Sequence, residues 1–145
     1  MKLSNGTYYY GGQMGYMHLA LGQAPIALGD IDKNLEIMEN LITDAQDKCD
    51  AEIDLIAFPE LFITGYNLRD DYNKVAEKIP SQGKAQLGIV KLAEKYNVHI
   101  ATGIVEKVGK TLFNSAIVIG PKGYIGHYQK QFLPNFGPFL SIYAL

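Results

Sequence analysis

The sequence predicts an α/β layered domain, and three observations carry that prediction. Apolar residues recur at spacings of three and four from Ile31 to Cys49, which marks one face of a helix. The run Ile53 to Phe58 is almost continuously apolar, as expected of a parallel strand covered on both faces. After residue 97, three strand-like segments follow one another across short glycine turns. Strand, helix, strand, helix and then a run of strands is the order of a sheet layered with helices.

The first patterned segment starts at Met17 and reads as a strand through Gln23. Asp30 is a natural N-cap for the first helix. Its inward positions are Ile31, Leu35, Met38, Ile42, Ala45 and Cys49, with Lys33, Glu36, Glu39 and Lys48 on the opposite face. A second helix is expected from about Lys84 to Tyr96, turning Ala85, Ile89, Leu92 and Tyr96 inward. Val98 to Val105 follows as a strand. Gly109-Lys110 turns into Leu112 to Ile119, and Gly120 to Gly123 turns into Tyr124 to Lys130. Residues 1 to 16, with Tyr8-Tyr9-Tyr10-Gly11-Gly12 at their centre, have neither period. They are expected to form an extension outside the folded domain.

A chain of 145 residues fits one domain and buries roughly 70% of the surface that its unfolded form exposes. Apolar residues make up 48%, charged residues 19%, and the net charge is -2, a globular balance. Lysines and arginines are scattered, which argues against nucleic acid as a partner. The single cysteine excludes an internal disulfide and fits a reducing compartment. No apolar run is long enough to span a membrane, and the first residues lack the apolar centre of a secretory signal. The expected location is cytoplasmic, and Asn5-Gly6-Thr7 then has no meaning as a glycosylation acceptor.

Two charged residues stand at predicted strand ends. Glu60 follows Ile53 to Phe58, and Lys130 closes the last strand. A carboxylate in such a place is either a solvated cap or a base tuned by an apolar pocket. Lys130 by itself reads as a surface lysine. Gly109-Lys110-Thr111 is not a phosphate-binding loop, because Ile104 stands where the first glycine belongs and no helix follows. His18, His99 and His127 lie in separate strands with no cysteine or carboxylate spacing around them, so no metal site is expected.

Several motifs in order change these readings: Gly29-Asp30 with Asn34, Phe58-Pro59-Glu60-Leu61 with Thr64-Gly65-Tyr66, Phe113-Asn114-Ser115, and Tyr128 and Lys130 with Leu133 to Phe139. Together they resemble the nitrilase, or carbon–nitrogen hydrolase, superfamily. Gly65 to Asp70 and Leu133 to Phe139 look most like amidases and the glutaminase domains of NAD synthetases. In that superfamily a cysteine thiolate attacks an amide or nitrile carbon, a Glu is the general base, and a Lys stabilises the tetrahedral intermediate. Carried over by position, the base is Glu60 and the cation is Lys130.

The nucleophilic cysteine has no counterpart, since Cys49 precedes Glu60 and lies on the apolar face of the first helix. Phe132 stands where the family often has His, and Leu140-Ser141-Ile142-Tyr143 where it usually continues with acidic residues. The resemblance therefore implies the amino-terminal half of a nitrilase-type α-β-β-α sandwich: a truncated domain at 17–139 and a divergent tail at 140–145. It implies a small amide or nitrile substrate, no cofactor and no metal, and a chain inactive alone for want of its nucleophile. A half-sandwich also exposes apolar sheet, so a homo-oligomer or other self-association is expected. The competing expectations are a non-catalytic binding or interaction module, or a gene fragment.

Overall fold

The computed structural model describes residues 3–10, 13–68 and 71–132. Arg69, Asp70, the run Leu133 to Phe139 and the expected tail lie outside the described residues. Among those described, six strands form one sheet in chain order: β1 (Leu3–Tyr10), β2 (Gln13–Leu21), β3 (Leu55–Ala57), β4 (His99–Val108), β5 (Thr111–Gly120) and β6 (Gly123–Gln129). The helices are α1 (Ile31–Lys48), α2 (Tyr72–Val75) and α3 (Lys84–Lys95). Strands β2, β3 and β4 are parallel, with α1 and α3 in the crossovers that parallel pairing demands. Strands β4, β5 and β6 form an antiparallel meander, and β1 pairs antiparallel with β2.

Both long helices start where local chemistry favours it. Asp30 caps α1, its Oδ1 accepting the Lys33 backbone N–H at 3.0 Å. Gly83 precedes α3 and offers no side chain, so Glu77 supplies the acceptor from outside the helix. Its carboxylate takes the N–H of Ala85 at 2.7 Å and of Gln86 at 3.2 Å, placing an anion at the positive end of the helix dipole.

The core lies between the helices and one face of the sheet. Met38, Ile42 and Ala45 of α1, with Ala85, Ile89, Leu92 and Ala93 of α3, pack against Ala20, Ile56, Ile100, Ile104, Ile117 and Ile119. The row Ala20, Ile56, Ile100, Ile119 runs straight across four strands and is buried throughout. The next row, Leu21, Ala57, Ala101, Val118, Gly126, points to the other face. There Leu21 is exposed and the rest are half-buried. This corrects the expectation that Ile53 to Phe58 is covered on both faces: Ile56 faces the helices, and Leu55 and Ala57 are only half-buried.

A second correction concerns the amino terminus. Strand structure starts at Leu3, and β2 begins at Gln13 rather than Met17. The register runs from Leu3 opposite Ala20 to Tyr10 opposite Gln13. Pairing of this kind uses backbone groups that every residue carries, so a segment without hydrophobic alternation leaves no sign of it in the sequence.

One buried polar residue ties the layers together. The Asn34 side chain, fully buried on α1, donates to the carbonyls of Ala27 at 2.7 Å and Ile63 at 2.9 Å, and accepts the Ala27 N–H at 2.8 Å. It joins the entry to α1 to the loop that follows β3. Replacing Asn34 by Ala leaves the Ala27 N–H and the Ile63 carbonyl without this partner, while the Ala27 carbonyl keeps the Asp30 N–H at 3.4 Å. The change should cost about 2 kcal/mol, since each buried unsatisfied group costs about 1–3 kcal/mol. Urea unfolding checks this, and a loss below about 1 kcal/mol would refute the clamp.

Candidate active site

Glu60 sits in the loop that leaves the carboxyl end of β3, and that loop is laid directly on β4. Phe58 donates to the Ala101 carbonyl at 2.8 Å, the Gly103 N–H to the Pro59 carbonyl at 3.2 Å, and the Ile63 N–H to the Gly103 carbonyl at 3.5 Å. The close approach requires glycine at 103. A β-carbon there would lie 2.7 Å from the Glu60 Cα and closer still to the Leu61 nitrogen. The loop then curls on itself: the Phe62 N–H reaches the Pro59 carbonyl at 3.3 Å and the Gly65 N–H reaches the Leu61 carbonyl at 2.7 Å. Leu61 pays for the curl with φ of 50°, a left-handed conformation unusual for a leucine. Such strain, about 1–3 kcal/mol, persists only where surroundings enforce it. Here the buried Leu61 side chain is held against Tyr72 and Val105.

Lys130 follows β6 immediately, and its N–H donates to the Asn114 carbonyl at 2.9 Å. Its Nζ lies 2.8 Å from Glu60 Oε1, an ion pair between residues 70 apart in the chain. The same Oε1 accepts a hydrogen bond from Asn114 Nδ2. Both charged side chains remain partly open, 36% for Lys130 and 38% for Glu60. The surroundings of Glu60 are polar, with two donors on one oxygen, and not the apolar pocket that one of its two sequence readings required.

The Glu60 carboxylate raises the Lys130 ammonium above the ordinary lysine value, chiefly through the hydrogen bond, while partial burial acts the other way. Burial pushes the Tyr72 hydroxyl upward, with the Glu60 charge adding to it, so Tyr72 stays a donor, and it donates to the Tyr66 carbonyl. Tyr66, more than half exposed, stands beside the pair. Asn114 and Tyr72 were not singled out by sequence reasoning; Asn114 was part of a quoted motif, but its role depends on β5 lying between β4 and β6.

Other predicted residues fall elsewhere. Cys49 caps the carboxyl end of α1 and packs partly buried against the core. The chain enters β3 from that side, whereas Glu60 leaves β3 at its far end. The three histidines lie in β2, β4 and β6 as expected, but two of them face carboxylates that spacing did not reveal. His18 Nδ1 is 3.8 Å from Asp54, and His127 Nε2 is 3.5 Å from Glu106. Glu106 is 2% exposed and accepts from Ser115 Oγ at 2.6 Å, while the Tyr124 hydroxyl meets His127 Nδ1 at 2.7 Å. Among the described residues no three His, Cys, Asp or Glu side chains are grouped to hold a metal ion, and no helix is long and apolar enough to cross a membrane.

Comparison with known proteins gives the class to which this mixed α/β sheet belongs. The carbon–nitrogen hydrolase family model matches residues 18–141, so the chain belongs to that family, within the nitrilase superfamily. It is 43% identical over 101 residues to a nitrilase of Pyrococcus abyssi, an overlap of 68% of this chain and 37% of the relative. A glutamine-dependent NAD(+) synthetase of Aquifex aeolicus is 30% identical over 128 residues, 85% of this chain and 21% of that one. Among solved structures, an N-terminal amidase with a Gln-Gly peptide superposes with a TM-score of 0.70 at 28% identity, over 81% of this chain and 28% of the amidase. The chain thus spans well under half the length of these relatives, and the fold is the amino-terminal part of the superfamily's.

The ion pair has a defined pH signature. Because Lys130 is raised in the folded state, its contribution to stability is fully present below the ordinary lysine value of 10.5 and is lost as pH climbs through the higher folded midpoint. Carbon-detected NMR of the Lys130 Cε should show a midpoint above 10.5 that falls back toward it in Glu60→Gln. An unchanged midpoint in that variant would mean that the pair does not form in solution.

Proposed function

We propose that this chain carries the base and the oxyanion-stabilising cation of a hydrolase acting on a small non-peptide amide, of amidase or glutaminase type. The observation that carries the reading is the 2.8 Å contact between Lys130 and Glu60, brought together from two loops at the strand ends. Glu60 takes the proton of an attacking thiol and returns it to the departing amine, which needs a carboxylate that is reachable and held in place. Lys130, kept cationic by Glu60, faces the charge that develops on the carbonyl oxygen. Losing one such donor typically costs about 3–4 kcal/mol of transition-state stabilisation. The match to the NAD(+) synthetase and the likeness to the amidase support an amide, and the match to the Pyrococcus nitrilase makes a nitrile the alternative substrate.

The thiolate in this reading comes from outside residues 1–145, because Cys49 lies at the wrong end of β3. That placement also favours a second reading, a binding module that keeps the pair without chemistry. Ammonia release from glutamine and simple aliphatic amides separates the two. Residues 1–145 alone should give at most a residual rate, about 10³-fold above water, unaffected by Cys49→Ala. A longer chain that supplies a cysteine should turn over and lose that activity in Glu60→Gln. Undiminished turnover in that variant rejects the proposed role of Glu60, and robust activity of residues 1–145 lost in Cys49→Ala rejects the placement of the nucleophile.

The second sheet face belongs to the same proposal. Its half-buried row from Leu21 to Gly126, with Tyr128 59% exposed, is apolar surface of the kind that drives association. Residues 1–145 should form dimers or larger species in light scattering, and a monodisperse monomer would refute this.

A further inference from the structure

Asn114 reaches both members of the ion pair. Its side-chain Nδ2 donates to Glu60 Oε1, and its main-chain carbonyl accepts the Lys130 N–H at 2.9 Å. It sits on β5, paired on one side to Val105 of β4 and flanked on the other by β6, and is 7% exposed. Val105 in turn packs against Leu61, the strained neighbour of Glu60. The amide is therefore fixed by the sheet, whereas the Glu60 loop and Lys130 both need to be brought to it.

We infer that Asn114 is a positioning residue, which together with Lys130 anchors Oε1 of Glu60 and so leaves Oε2 as the oxygen open to a proton. Among the described residues no side chain or backbone group donates to Oε2, while Oε1 takes two donors. A carboxylate so held has one oxygen assigned to structure and one to proton transfer, and its plane cannot swing away from the substrate side. Asn114 itself gains or loses no proton. The inference rests on Glu60 as the proton-handling group, but its test reads geometry and not turnover, so the two fail separately.

The test is NMR on residues 1–145, using the Asn114 side-chain amide and the Lys130 Cε as reporters. In the wild-type chain the Asn114 side-chain amide protons should be shifted by their hydrogen bond to the Glu60 carboxylate, and that shift should vanish in Glu60→Gln. Asn114→Ala should lower the raised midpoint of Lys130, because a looser Glu60 pairs with it less well. Asn114→Asp, nearly identical in volume, should raise that midpoint further by adding a second carboxylate. Crucially, the Asn114→Ala shift should disappear when made in the Glu60→Gln background. A shift that survives there means that the Asn114 side chain acts on Lys130 by a route other than Glu60. Either that result or Asn114 side-chain amide resonances that are the same in the wild-type chain and in Glu60→Gln overturns the inference. The comparison of the Asn114 side-chain amide between the wild-type chain and Glu60→Gln decides the matter even if Asn114→Ala fails to fold.

Discussion

The close approach of the Pro59–Gly65 loop to β4 is the constraint on which the rest of the site depends. Without a side chain at Gly103, three backbone hydrogen bonds lock the loop across the strand, and Glu60 is delivered to the carboxyl end of the sheet. The same docking buries Leu61, Phe62 and Ile63 almost completely. That burial supports the left-handed backbone of Leu61, since large apolar side chains each contribute about 1.5–3 kcal/mol when fully removed from water. Asn34 then secures the far end of the loop from α1. The Glu60 carboxylate is thus positioned by an otherwise ordinary apolar core.

The electrostatics follow from that placement. A lone exposed ion pair is worth about 0–1 kcal/mol, so the Glu60–Lys130 contact is not what folds the protein. Its significance lies in direction. β5 carries Asn114 between the two, and the sheet's regular spacing sets where each charge stands. The second carboxylate of the region, Glu106, points to the opposite face and is satisfied there by Ser115 and His127. Alternation along β4 and β5 separates the two acids: Val105 and Asn114 face the Glu60 loop, and Glu106 does not.

The two faces of the sheet differ in cover among the described residues. Helices cover one row of the sheet to below 2% exposure at Ala20, Ile56, Ile100 and Ile119, while the adjacent row from Leu21 to Gly126 has no such cover among the described residues.

What the sequence by itself determined was the order and type of the longer elements from α1 onward, the short α2 excepted, because helical period, caps and glycine turns are local signals. Asp30, the inward stripe of α1, α3 and the three-strand meander were all legible, as were Glu60 and Lys130 as charges closing strands and as positions in a family motif. Only the tertiary structure decided which face of β3 is covered, that β1 pairs with β2, and that Asn114 bridges the two charges. It also decided that His127 meets Glu106. Each of these joins residues far apart in the chain or uses backbone groups common to every residue, and neither kind of contact leaves a periodic trace in the amino-acid order.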